Sequence, residues 1–263
     1  MKNPLIDVRD QRFVLFEVLG VDSLTQYDRF SQFDHNTFEA TLELIENICV
    51  NECFPHFADA DREGCSFNAG TGEVKLPESV TKPLKAYYDA GFIGMNESPE
   101  IGGMGLPQSI GAAALEFISA AHQPLLMYGA LAHGSMKLIA KFGTEYLKKT
   151  FVPRMMAGEW GGTMCLTEPQ AGSDVGRMKA KAVKQADGTY RITGQKIFIS
   201  AGDNDYYPNI IHPVLARIEG DPGGTKGISI FIVPKFLVDE NGNPGKRNDL
   251  KCIGIEHKMG IKA

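Results

Sequence analysis

From Asn36 to Phe57, apolar side chains recur at Phe38, Leu42, Ile45, Cys49 and Cys53, in steps of three and four that place them on one face of a helix. Similar spacing predicts helices over about 79–91, 107–122, 125–142 and 145–157. Gly143 and Gly158 stand where the last two would end, and Thr144 stands where the last would be capped. Residues 1–158 thus predict an all-helical domain. After Gly158 the period changes. Met178, Ala180 and Ala182 alternate with Arg177, Lys179 and Lys181, and Asp187-Gly188 precedes renewed alternation at Tyr190 and Ile192, which predicts a β-hairpin. Apolar runs at 197–200 (IFIS), 210–218 (IIHPVLARI) and 227–234 (GISIFIVP), bounded by Gly, Pro, Asn and Asp, predict further strands. A helical block followed by a strand block predicts an α+β fold, with a helical domain over 1–158 and an antiparallel β-barrel or sandwich domain over 159–263.

The composition of the 263 residues, 43% hydrophobic and 22% charged, is that of a chain able to bury a sizeable core. A net charge of -5, with both signs interspersed, offers no positive field for a phosphate backbone, so no nucleic-acid partner is expected. The N-terminal stretch holds Asp7 and Asp10 and no apolar run of signal-peptide length. No segment approaches the ~20 apolar residues that span a bilayer. The expectation is a cytoplasmic protein without a membrane partner. Five scattered cysteines read as free thiols. Cys49, Cys53, His56 and Cys65 lie close enough in sequence to suggest metal ligands, but Cys49 and Cys53 continue the helical stripe, so core packing is expected and no metal. His35, His122, His133, His212 and His257 show no nucleophile or metal spacing and are expected to be structural or exposed. Gly102, Gly103 and Gly105 do not match G-x-G-x-x-G and follow no strand, which argues against a Rossmann site.

The segment richest in chemistry is MCLTEPQAGSDVG, 164–176, a Gly- and hydroxyl-rich loop where helices give way to strands. Gly172, Ser173 and Asp174 can turn consecutive backbone N–H groups and a hydroxyl toward an anion such as a phosphate. The same residues also suit a plain turn in which Asp174 caps its own backbone.

This loop closely resembles the first signature of the acyl-CoA dehydrogenase family: a small residue, an apolar residue, Ser or Thr, Glu-Pro, then Ala-Gly-Ser-Asp. PEIGGMGLP (99–107) resembles the family's Gly-rich link between helices, and GTYRITGQKIFISAGDND (188–205) its flavin-facing segment. GTKGISIFIVP and IEHKMGIKA extend the likeness from about residue 75 to the end. The stretch around RFVLFEVLG is similar to the larger bacterial subgroup that includes 3-methylmercaptopropionyl-CoA dehydrogenase.

The resemblance implies a helical N-domain, a β middle domain and a helical C-domain, with FAD between the last two. It implies that the main chain at Leu166, and the main chain and hydroxyl of Thr167, face the flavin's pyrimidine edge, with Cys165 beside them. Ser173, next to Gly172, falls at the position near the FAD pyrophosphate and the CoA. Phe198 stands where many members carry Trp against the flavin, and Ser200, after Ile199, where a Thr hydroxyl meets flavin N5. Glu100 and Met104 fall near the acyl end of the substrate cavity, although a plain interhelical turn suits them equally. The implied reaction converts an acyl-CoA to the trans-2-enoyl-CoA, with electron-transferring flavoprotein or a similar acceptor and a homo-oligomeric full-length protein. An acyl-CoA oxidase and a non-catalytic flavin-binding member of the superfamily are the alternative readings. The family's base is a Glu of the C-domain; no carboxylate here matches it, so no catalytic residue is assigned, and Glu168 is read as a structural member of its loop. The chain ends in EHKMGIKA as though cut within ordered sequence. The expectation is therefore that residues 1–263 alone bind FAD weakly and do not oxidise acyl-CoA. Turnover of an acyl-CoA with a dye acceptor by the purified, accurately sized chain would overturn it.

Overall fold

The computed structural model describes residues 3–263. Helix α1 (Val8–Arg12) begins where Asp7 accepts from the amides of Arg9 and Asp10, and it runs on into a π-helical turn at Phe13–Val18. Helix α2 (His35–Ile48) starts at Asp34, whose carboxylate accepts from the Thr37 amide at 2.8 Å, and buries Phe38, Leu42 and Ile45. A π-turn at Cys49–Cys53 then joins it to α3 (Phe54–Glu63). The continuous helix predicted over 36–57 is thus two helices in series. Cys49 and Cys53 are both fully buried, as their place on the apolar stripe predicts.

The first 158 residues are not purely helical. Strands β1 (Ser66–Asn68) and β2 (Glu73–Lys75) form a hairpin whose turn is built by Asn68: its side chain accepts from the amides of Gly70 and Thr71, and its carbonyl from that of Gly72. Strands of three residues are too short for alternation to reveal them. Helices α4 (Glu78–Asp89), α5 (Gln108–Ala121), α6 (Gln123–Phe142) and α7 (Glu145–Met156) follow within a few residues of the predicted bounds. Thr144 caps α7 by accepting from the Leu147 amide, and Gly158 takes the left-handed φ of +72° that releases the chain beyond it. Phe38, Leu42, Leu84, Ile110, Phe117 and Leu125 form the centre of the helical core.

The second half is a five-stranded sheet of β3 (Gly161–Gly162), β4 (Lys181–Lys184), β5 (Tyr190–Thr193), β6 (Ile210–Ile218) and β7 (Ile228–Pro234). The predicted hairpin is β4–β5, and β6 pairs antiparallel with β7 along its length. The sheet is mixed and not purely antiparallel as expected, because β3 and β4 both run parallel to β6. Both lie along one edge of β6, β3 near its start and β4 near its end. A strand interrupted by an excursion must resume in the same direction to stay in one ladder, and hydrophobic alternation carries no information on that direction. A last hairpin pairs β8 (Phe236–Val238) with β9 (Pro244–Arg247).

The helical and sheet halves meet closely. Helix α6 lies directly on β3, where a Cβ on Gly162 would come within 2.8 Å of Ser135 Cβ and 3.0 Å of Ala132 Cα. The Tyr88 and Tyr207 hydroxyls meet at 2.6 Å across the same boundary, and Trp160, 1% exposed, packs on Phe151 of α7. No helix among the described residues is long and apolar enough to cross a membrane.

Candidate functional site

The edge of β6 that carries β3 and β4 generates the site. The amides of Gly161, Thr163 and Cys165 donate to the carbonyls of Asn209, Ile211 and Pro213, and the Leu215 amide donates to Cys165 O. One ladder step later the Arg217 amide donates to Ala180 O. Residues 166–179 are therefore an excursion whose two ends leave and rejoin the same strand side by side, the form of a compact loop with a narrow neck.

Glu168 closes that neck. Its side chain is buried, and its two oxygens accept from the amides of Lys179 (2.6 Å) and Ala180 (3.0 Å), from Lys196 Nζ (2.8 Å) and from Gln170 Nε2 (2.6 Å). Burial by itself raises the Glu168 carboxyl, but the Lys196 ammonium, the two amides and Gln170 outweigh it, and the net shift is downward. Lys196 Nζ also donates to Leu166 O, and the Ile197 amide to Thr167 O, so the segment at 196–200 is drawn against the loop. Both Glu168 oxygens are committed to holding structure, which agrees with its reading as a structural member of the loop.

With the loop fixed, several donors in it and beside it remain unused. Among the described residues, the amides of Leu166 and Thr167, the Thr167 hydroxyl and the Ser200 hydroxyl make no hydrogen bond within the protein, and all three residues are half-buried. Gly172 lies beside Thr167: a Cβ there would stand 3.9 Å from Thr167 Cγ2. Gly172, Ser173 and Asp174 are exposed, their amides are unpaired, and the Asp174 side chain caps nothing, so the self-capped turn is not what forms. The structure thus brings Cys165, Leu166, Thr167, Gly172 and the 197–200 segment into one neighbourhood.

The segment at 197–200 is not the strand its apolar run predicts. Phe198 and Ala201 take φ of +56° and +54°, and the Gly202 amide closes a tight turn onto Ile199 O. Neither Phe nor Ala favours that region, and such turns cost about 1 kcal/mol or more per residue and recur at functional sites. Phe198 is left 61% exposed beside Ile199 and Ser200, so its ring is presented outward and not packed in a core.

Beneath the loop lies a polar layer in which Cys165, expected beside the flavin, is joined by Thr163 and His212, which sequence reasoning did not assign to the site. Thr163 Oγ1 is 2.8 Å from His212 Nδ1 and 3.4 Å from Cys165 Sγ. Burial pushes His212 down to about 4, so its ring is neutral near pH 7, and burial pushes the Cys165 thiol up. A buried, protonated thiol is no nucleophile, and this trio is not a hydrolytic centre. Asp203 pairs with Lys235 Nζ (2.6 Å) and Arg247 Nη2 (3.0 Å), tying the turn after Gly202 to the end of β7 and to β9. Pro213, visible in the sequence as a proline inside an apolar strand, was the one signal that this edge is unusual.

Glu100 and Met104 lie in the 99–107 link, both exposed and in different settings. Glu100 borders a shallow groove with Lys148, Lys149, Val152 and Met156 of α7, whereas Met104 packs over Gly91. No hydrogen bond among the described residues joins either to the 166–179 loop. The link is held to α6 through the buried Glu97, whose Oε1 accepts from His133 Nε2 (2.8 Å) and Lys137 Nζ (2.9 Å).

Two family models match the chain: acyl-CoA dehydrogenase N-terminal domain over residues 36–159, and acyl-CoA dehydrogenase middle domain over 163–262. The chain is 44% identical, over 97% of its length, to the broad-specificity linear acyl-CoA dehydrogenase FadE5 of Mycobacterium tuberculosis, of which it covers 42%. It is 37% identical over 97% of its length to 3-methylmercaptopropionyl-CoA dehydrogenase of Ruegeria pomeroyi, covering 43% of that protein. It thus spans less than half the length of these curated relatives. Among solved structures, an acyl-CoA dehydrogenase from Bacillus anthracis complexed with FAD aligns with a TM-score of 0.61 at 25% identity, over 88% of this chain and 34% of that one.

The Glu168 clamp generates a pH prediction. Because its folded-state pKa is lowered, its contribution is full above the ordinary glutamate value of about 4.3 and is lost as pH falls through the lower folded value. Glu168→Gln, which leaves buried donors without a charged acceptor, is expected to cost about 3 kcal/mol of unfolding free energy at pH 7. That difference from wild type should narrow as the pH drops below 4. Denaturant titrations at several pH values check it, and a difference that stays constant down to pH 2 would contradict the clamp.

Proposed function

Because the chain belongs to the acyl-CoA dehydrogenase family, we propose that it forms the helical and sheet portions of an enzyme that converts an acyl-CoA thioester to the trans-2-enoyl-CoA with FAD. The observation that carries this reading is the set of unpartnered donors at Leu166 and Thr167, on a loop that Glu168 fixes, and at Ser200, on the segment that Lys196 draws against it. In a folded protein, unpaired polar groups of half-buried residues suit a polar ligand that completes them.

These residues fit a flavin. The Leu166 and Thr167 amides with the Thr167 hydroxyl form a donor row for the carbonyl-rich edge of the ring system, and the exposed Phe198 offers an aromatic face beside the Ser200 hydroxyl. The unpaired amides of Gly172 to Asp174, with the Ser173 hydroxyl, suit a phosphate of FAD or of CoA. When bound, FAD supplies the acceptor for the hydride that leaves the acyl β-carbon. What the chain supplies is preorganisation: donors held by a closed loop neither swing nor need to shed water when charge develops opposite them. Abstraction of the α-proton is not assigned to Glu168, whose oxygens are fully engaged in the loop neck. The same reading places Glu100 and Met104 toward the acyl end of the substrate. It sends the electrons to electron-transferring flavoprotein or a similar acceptor and builds the full-length protein as a homo-oligomer.

The hydroxyl of Thr167 separates this reading from a purely structural one. Thr167→Val keeps the shape and removes one donor that makes no bond inside the protein, so the fold should be unaffected. FAD affinity, followed by quenching of flavin fluorescence, is expected to fall about tenfold, the scale of one lost hydrogen bond. Unchanged affinity with unchanged stability would contradict the placement.

A further inference from the structure

Thr163 stands three residues before Leu166, on the stretch that leads into the Leu166–Thr167 donor row. Its amide donates to Ile211 O, and the ladder on this edge alternates: residue 161 pairs through 209, 163 through 211, 165 through 213, and Leu215 N returns to Cys165 O. By the same alternation, the donor for Thr163 O should be the amide of residue 213. That residue is Pro213, which has no N–H. Thr163 is 0% exposed, so an unpaired carbonyl there would cost the full penalty of a buried, unsatisfied acceptor.

The missing donor comes from the other half of the molecule. Ser135 of α6, itself 2% exposed, donates through Oγ–H to Thr163 O at 2.5 Å. It can reach because residue 162 is Gly: any Cβ there would meet Ser135 Cβ at 2.8 Å and Met155 Cε at 2.9 Å, and would push α6 away. Across the strand, Thr163 Oγ1 meets His212 Nδ1 on β6 itself. Three features of different origin, the proline, the glycine and the serine, thus agree on one contact.

We propose that Ser135 is a positioning residue for the flavin-facing donors: it replaces the ladder donor that Pro213 lacks and so sets the strand leading into Leu166 and Thr167 from the helical domain. The proposal rests on the reading of that row as the flavin contact. It makes the helical domain a support of the flavin site through Ser135.

The test uses the FAD-loaded full-length protein and a backbone rescue. Ser135→Ala leaves Thr163 O without a donor, and FAD affinity is expected to fall about tenfold, with a shift in the visible flavin absorption bands. Adding Pro213→Val restores an amide at the position the ladder requires, and Ser135→Ala/Pro213→Val should recover affinity to within about twofold of wild type, together with the wild-type spectrum. Ser135→Cys, a weaker donor of nearly the same size, should fall between, and it carries the same comparison with and without Pro213→Val if the alanine variant does not fold. Unchanged FAD affinity and spectrum in Ser135→Ala would overturn the proposal. So would a loss that Pro213→Val fails to recover. Wild-type protein that takes up no flavin would instead defeat the reading of the site, and with it this inference, which keeps the two failures apart.

Discussion

A strand that leaves a sheet and rejoins it at the next ladder position must be held shut at the crossing, and in this protein the carboxylate of Glu168 does that. Four donors converge on its two oxygens, two of them the amides at the point of return and one the ammonium of Lys196. Charge-assisted bonds in a buried setting are stronger than neutral ones, and among the described residues those amides bond to no other acceptor. The position of every donor proposed to meet the flavin follows from this closure. Leu166 and Thr167 sit just past the exit, Gly172 folds back onto Thr167, and Lys196 brings Phe198 and Ser200 alongside through its second bond to Leu166 O.

The helical half enters the same arrangement through the narrow separation between α6 and the edge strand. Gly162 permits it and Ser135 uses it. The helices therefore do more than bury their own apolar stripe, because their packing also fixes the height at which the edge strand lies before it turns out into the loop. Glu97, held by His133 and Lys137 on the same helix, ties the Gly-rich 99–107 link to that common support. One helix thus aligns both segments that the family likeness associates with ligand binding.

Much of this was legible in the sequence, and the exceptions have physical causes. Helices α4 to α7 were readable because a period of 3.6 sustained over a dozen residues is hard to mimic, and the β4–β5 hairpin because Asp187-Gly188 punctuates an alternating pattern. Strand direction left no such mark, so the mixed sheet was unforeseen. The run IFIS read as a strand because nothing in Phe198 or Ala201 announces a left-handed backbone, which glycine would have done. Residues of the candidate site were legible through motif likeness and not through physics, since a Gly-Ser-Asp turn alone suits many roles. Pro213 was in plain view, but its consequence needed Ser135, far away in sequence and adjacent only in the fold.

The central claim is that the donors at Leu166 and Thr167, fixed by Glu168, receive the flavin. The most direct test is a crystal structure of the full-length protein with FAD bound. The account predicts the pyrimidine edge of the ring within hydrogen-bond distance of both amides and of the Thr167 hydroxyl, with the Glu168 bonds to Lys179, Ala180 and Lys196 intact beneath it. A flavin ring seated elsewhere, with those amides facing solvent, would contradict it.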